Sequence, residues 1–225
     1  MDENDARRLV DSIKAMGPDG AKRVVEFAAR ELDGLAAQVW AFGMATGSRR
    51  AVAIVAQMGA ELGLCAAQLY EAERWYAGAC LVRQLIEVEY LLFLFATDSE
   101  EPERWLKASP ETVRRMFSPY AMRKRAGDRF RASEYASHCE LGGHPRRQGH
   151  VLLREHLSFS DHRAMPLADP AVLWVDLAQH MERLWGNYRD AVENHSPTNV
   201  YPDRFREVDQ VFSAWRSNDQ TPGRI

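Results

Sequence analysis

Apolar residues recur at helical spacing along nearly the whole chain, and no stretch alternates with the period of two that a half-buried strand needs. The most apolar stretch, Trp75 to Thr97 (WYAGACLVRQLIEVEYLLFLFAT), is hydrophobic on several faces. Leu81, Leu85, Val88, Leu92 and Phe95 line one side; Tyr76, Cys80, Leu91 and Leu94 line another. A helix apolar nearly all round is the buried, central member of a bundle. Arg83 and Glu87 are set into it one turn apart, so the spacing puts them on one face and predicts that both are at least partly buried.

The rest of the pattern supplies helices around that centre. Periodicity covers Ala6 to Met16, stops at Gly17-Pro18, and resumes after a capping Asp19 to about Met44. A third pattern begins near Arg49. Unbroken to Thr97 it would far exceed an ordinary globular helix, so a break at Glu71 to Arg74 is expected, leaving two antiparallel helices. Ser99 or Glu101 before Pro102, and Ser109 before Pro110, predict short helices over Glu103 to Lys107 and Glu111 to Phe117. Ser118-Pro119 restarts the chain. Asp128 to Leu141 reads as one more helix, stopped by Gly142-Gly143 and His144-Pro145. Arg146 to Asp169 reads as a long irregular loop, Pro170 to about Asn194 as a long helix, and Asp203 to Trp215 as a last short one, with a frayed tail from about residue 218. The expected fold class is all-α: a helical bundle forming a single domain over residues 1–225.

Composition changes this picture little. A hydrophobic content of 46% and a charged content of 27% suit a globular chain of 225 residues with one sizeable core. Three cysteines at no metal-ligand spacing, and a charged MDENDARRLV start, point to the cytoplasm. Arg83, Gln84, Glu87 and Glu89 interrupt the most apolar stretch, so no membrane span is expected.

Charge changes it more. The segment Arg114 to Arg154, with Glu155 directly after it, holds ten basic residues against four acids. Its excess of +6 leaves −9 on the remainder of a chain whose net charge is −3. Such asymmetry fits a phosphate-bearing partner, RNA or a nucleotide, as it also fits a solvated helical face.

Three groups of residues offer chemistry. Arg83 and Glu87 form either a structural pair or part of a site, since buried charge is expensive unless paired. His138, His144, His150, His156 and His162 recur every six residues, but that spacing turns a helix by roughly 240° and points successive rings apart. No HExxH, ExxH or CxxC accompanies them, so neither a metal nor a cofactor is predicted. The third group is YASHCELGGHP, Tyr135 to Pro145, which sets a phenol, a thiol and two imidazoles inside the basic segment. Imidazole beside positive charge is what metal-independent cleavage of RNA needs.

The run LYEAERWYAGACLVRQLIEVEYL, followed by DSEEPERWL and later YASHCELGGHP, resembles the uncharacterised bacterial all-helical families related to HEPN domains. In them a helix bearing an RxxxE pair packs beside a later helix that ends in a tyrosine and an HP dipeptide. The similarity covers roughly Leu69 to Pro145. It implies a helical protein that binds or cleaves RNA or a nucleotide, in bacterial stress or defence, with Arg83, Glu87, Tyr135, His138 and His144 gathered in one pocket. If an enzyme, it would be a metal-independent endoribonuclease. HEPN-like domains commonly pair, and with apolar Trp40, Phe42 and Met44 near a helix end a homodimer is expected. The arginine-then-histidine motif of catalytic relatives occurs as Arg131 to His138 and Arg189 to His195. With 25 arginines and seven histidines, about two such spacings arise by chance. Two other classes fit the same residues: a non-catalytic helical interaction module, and a small-molecule regulator with a cavity between helices.

Overall fold

A computed structural model describes residues 20–41, 47–153, 170–195 and 202–218. Among these the protein is an all-α bundle of nine α-helices with no strand. The expected helix over Ala6 to Met16, the end of the next one at Phe42 and Met44, and most of the expected loop before Asp169 lie outside the described residues, as does the Trp40 side chain.

Helix α1, Gly20–Ala41, turns Ala21, Val24, Val25, Ala28, Leu32 and Leu35 inward at spacings of three and four. Helix α2, Gly47–Glu71, buries mostly small residues, so its neighbours come close. A Cβ on Gly59 would lie 2.7 Å from Leu184, and one on Gly63 would lie 2.6 Å from the Met181 sulfur. By length and composition α2 is the only helix among the described residues able to cross a membrane, and half of that window is buried inside the fold.

The break between α2 and α3 falls where the length argument requires it. Glu73 takes a left-handed backbone (φ 56°), and the Arg74 amide donates to the Leu69 carbonyl at 2.7 Å, turning the chain back. Helix α3, Trp75–Thr97, then runs through the middle of the bundle with Val82, Leu85, Ile86, Leu92 and Phe95 almost fully buried.

Three short helices follow: α4 (Glu101–Leu106), α5 (Pro110–Met116) and α6 (Pro119–Arg125). Ser109 and Ser118 cap the latter two, each side-chain oxygen accepting from the amide three residues on. At α4 no side chain caps, and the helix starts at Glu101 rather than after Pro102. Glu101 is completely buried there between Arg104 and Arg125, which ties α4 to α6.

The single helix expected over Asp128 to Leu141 is three pieces. A 3-10 turn at Gly127–Arg129 begins with Gly127 at φ 63°, and Phe130 is extended and buried against Tyr90 and Phe93. Only then does α7 form, Ala132–His138, and it runs into a π-helical turn, Cys139–Gly143. Burying one aromatic outweighs helical continuity here. A further 3-10 turn, Arg147–Leu152, occupies the start of the expected loop and buries Leu152. The long α8, Pro170–His195, packs against α1, α2 and α3, and α9, Pro202–Asn218, closes over α1. The buried apolar residues form one contiguous core.

Candidate functional site

Two residues along a helix rotate it by roughly 200°, so Glu87 and Glu89 leave α3 on opposite sides. Each anchors a separate polar cluster, and α7 contributes to both.

On the outer side Arg83, Glu87 and Tyr135 meet. The Tyr135 hydroxyl donates to Glu87 Oε1 at 2.8 Å and accepts from Arg83 Nη2 at 3.1 Å, and that nitrogen lies 2.6 Å from the same carboxylate oxygen. The Arg83 and Glu87 side chains are 21% and 29% exposed, the partial burial expected of them. The Arg123 guanidinium stands 5.4 Å from the centre of the Tyr135 ring. Burial, followed by the hydrogen bond and charge of Glu87, holds the Tyr135 phenol well above its ordinary pKa, so it remains a donor.

Gly142 and Gly143 make this approach close. A Cβ on Gly142 would lie 2.6 Å from backbone atoms of Ala79 and Cys80, and one on Gly143 would overlap Arg83 Cδ. The Cys80 thiol donates to the Gly142 carbonyl at 2.6 Å. An open groove of about 670 Å³, walled by Met58, Leu62, Leu81, Val88 and Phe117, borders Arg83 and Glu87.

On the inner side Glu89 is buried beneath α8. Its Oε2 lies 2.9 Å from His180 Nδ1, and its Oε1 lies 3.0 Å from Arg183 Nε. His180 Nε2 faces His138 Nε2 at 3.3 Å, and Asp176 Oδ1 stands 3.5 Å from the His138 nitrogen and 3.7 Å from that of His180. Arg183 Nη2 reaches Glu134 at 2.6 Å and also lies 2.8 Å from His180 Nδ1. His138 and His180 are 4% and 1% exposed. Burial pushes the His138 pKa down, but the Asp176 carboxylate outweighs it and the net shift is upward. Burial likewise pushes Asp176 up, and the two facing imidazoles reverse it to a net lowering.

Of the five residues expected in one pocket, therefore, three come together. His138 turns away from Arg83 into the inner cluster. His144 is exposed, and its contact with the core is through its backbone carbonyl, which accepts from the Tyr76 hydroxyl at 3.4 Å. The two arginine-to-histidine spacings are not paired sites either. Arg131 is exposed while His138 is buried; Arg189 is held by Asp209 at 2.7 Å, and the His195 ring meets the Phe95 carbonyl at 2.9 Å. Glu89, Asp176, His180 and Arg183 were missed by sequence reasoning. The available signal was Asp176 and His180, four apart on one face of a helix. The expectation of no metal site rested on spacing within single segments; the structure instead brings His138, Asp176 and His180 within 4.8 Å of one another from two helices.

In comparisons with protein-family models, curated proteins and solved structures, none matches this chain significantly.

Proposed function

We propose that this is a HEPN-like, cytoplasmic RNA-binding protein that uses the cationic surface around Tyr135. The observation that carries the reading is a set of six exposed cations, Arg114, Arg115, Lys124, Arg129, Arg131 and Arg146, none of which has an ion-pair partner among the described residues. Among the described residues no carboxylate forms an ion pair with any of the six. Arg125, by contrast, is consumed by Glu101 at 2.7 Å. Backbone phosphates supply the charge that such a surface lacks, and the Arg123 guanidinium and Tyr135 ring provide a planar edge beside it.

Binding is favoured over histidine-driven cleavage. A general base has to reach the ribose hydroxyl within hydrogen-bonding distance, and His138 is sealed between α7 and α8. The His144 ring is exposed with no described side chain to orient it. The three cysteines are free thiols, in keeping with a reducing compartment, and the protein is taken to act as a homodimer, which light scattering tests.

Anisotropy of a labelled single-stranded RNA is the deciding measurement. If four of the six cations contact phosphates, a fourfold rise in salt weakens binding by about 50-fold, from a slope of about 0.7 per contact. Charge reversal at Arg114, Arg115 and Lys124 removes most of the affinity, and His144→Ala leaves it unchanged. Absence of binding at low salt refutes the reading, and equal affinity for free nucleotide replaces RNA with a smaller phosphate ligand.

A further inference from the structure

We propose that His138, Asp176 and His180 bind a divalent transition-metal ion of the zinc class, joining α7 to α8. Their three donor atoms form a triangle with edges of 3.3, 3.5 and 3.7 Å. The point in their plane equidistant from all three lies about 2.0 Å from each, which is the length of a zinc bond to imidazole nitrogen or carboxylate oxygen. Ligands four-coordinate about zinc stand roughly 3.3 Å apart, so the edges need to change by only a few tenths of an ångström.

Three further features are those of a built site. Glu89 Oε2 lies 2.9 Å from His180 Nδ1, placed to accept its N–H and leave the Nε2 lone pair for an ion, the carboxylate-histidine arrangement that orients metal ligands; Arg183 Nη2, 2.8 Å from Nδ1 and 3.3 Å from Nε2, then turns to Glu134. Asp176 Oδ2 is buried with no hydrogen-bond partner, as is the Tyr70 hydroxyl. Charge is also unbalanced. Glu89, Glu134 and Asp176 surround a single guanidinium, Arg183, leaving an excess of two negative charges in a largely buried cluster. Protonating one imidazole leaves one of them uncompensated, and protonating both would set two N–H groups against each other across 3.3 Å. One divalent cation balances the cluster and removes that conflict. Two imidazoles and a carboxylate suit zinc, cobalt or nickel rather than calcium or magnesium. Three protein ligands leave a fourth position for water, and Glu134, held by Arg183 at 2.6 Å, borders the cluster on its more open side.

The test loads chelator-stripped, full-length protein with Co²⁺. The expected result is one tightly held ion per chain, with the intense visible bands of four-coordinate cobalt, displaced stoichiometrically by Zn²⁺. Asp176→Asn and His180→Ala should weaken binding by at least about 100-fold, and Glu89→Gln, which touches no metal, by about 10- to 100-fold. His144→Ala, at an exposed ring, should leave both affinity and spectrum as they are. Wild-type protein that takes up no stoichiometric Co²⁺, or gives only a weak six-coordinate spectrum, overturns the proposal, as does tight binding that survives Asp176→Asn. Should His180→Ala lose its helical circular dichroism, the wild-type spectrum and the Glu89→Gln affinity decide alone.

Discussion

Gly142→Ala separates packing from chemistry in the Tyr135 to Pro145 element. The glycine backbone is not left-handed, so alanine is conformationally allowed there and would on its own gain up to about 1 kcal/mol from reduced chain entropy. Against this, the new methyl would stand 2.6 Å from the Ala79 carbonyl carbon and the Cys80 amide nitrogen of α3. Both are backbone atoms of a central helix and cannot swing aside. Relief needs the whole π-helical turn to lift from α3, which also lengthens the 2.6 Å Cys80 to Gly142 hydrogen bond. Overpacking of this kind costs about 3 kcal/mol at its upper end, giving a net loss of about 2 kcal/mol and, for a chain of this size, a Tm lower by about 4 to 8 °C. Gly143→Ala meets the flexible Arg83 side chain instead and should cost under about 1 kcal/mol. Urea melts of the two variants measure the difference. A Gly142→Ala protein as stable as wild type, or no less stable than Gly143→Ala, would refute the reasoning.

Glu87→Ala should cost about 1 to 2 kcal/mol, less than the 3 to 5 of a fully buried pair, because both partners are a fifth to a third exposed; a denaturant melt showing less than about 0.5 contradicts the observed bridge to Tyr135. Glu101→Gln should cost about 1 to 2 kcal/mol, since Arg125 loses its carboxylate while Arg104 keeps Glu100 at 3.0 Å and both guanidiniums are about a third exposed; a neutral effect would mean that α4 is not held to α6 by charge. Tyr70, Tyr90 and Tyr135 all have raised pKa values, chiefly through burial. Above about pH 10 the unfolded chain therefore releases protons that the folded chain keeps, so stability falls as pH rises; tyrosinate absorbance that develops fully before unfolding would show those hydroxyls to be accessible.

The helices were legible wherever local chemistry acts alone. The Ser-Pro starts at Ser109 and Ser118, the turn at Glu71 to Arg74 and the central burial of Trp75–Thr97 all follow from caps, length and periodicity. Tertiary packing defeats the same logic around Phe130, whose side chain is drawn onto Tyr90 and Phe93 and splits the expected helix. The outer trio was readable because Arg83 and Glu87 share a helix face. The inner cluster was not, because its members come from α3, α7 and α8, with Glu89 and His180 91 positions apart. A six-residue histidine repeat directs attention along one segment, whereas His138 finds its partner 42 residues away.

Tyr135 and His138 are three apart on α7, yet one belongs to the solvent-facing trio and the other to the sealed cluster. An ion held by His138, Asp176 and His180 would therefore fix the helix that also positions Tyr135 against Arg83, with no contact to any ligand on the outer surface. The two readings nevertheless fail independently. Charge reversal at Arg114, Arg115 and Lys124 changes exposed side chains, none of them a member of the inner cluster. Asp176→Asn removes an inner ligand while leaving every exposed cation in place. RNA binding lost in the first variant and ion binding lost in the second, each with the other property kept, would place two functions on opposite sides of α3. If Asp176→Asn weakens both, the coupling runs through α7, and Tyr135→Phe should reduce RNA affinity while leaving the cobalt spectrum unchanged.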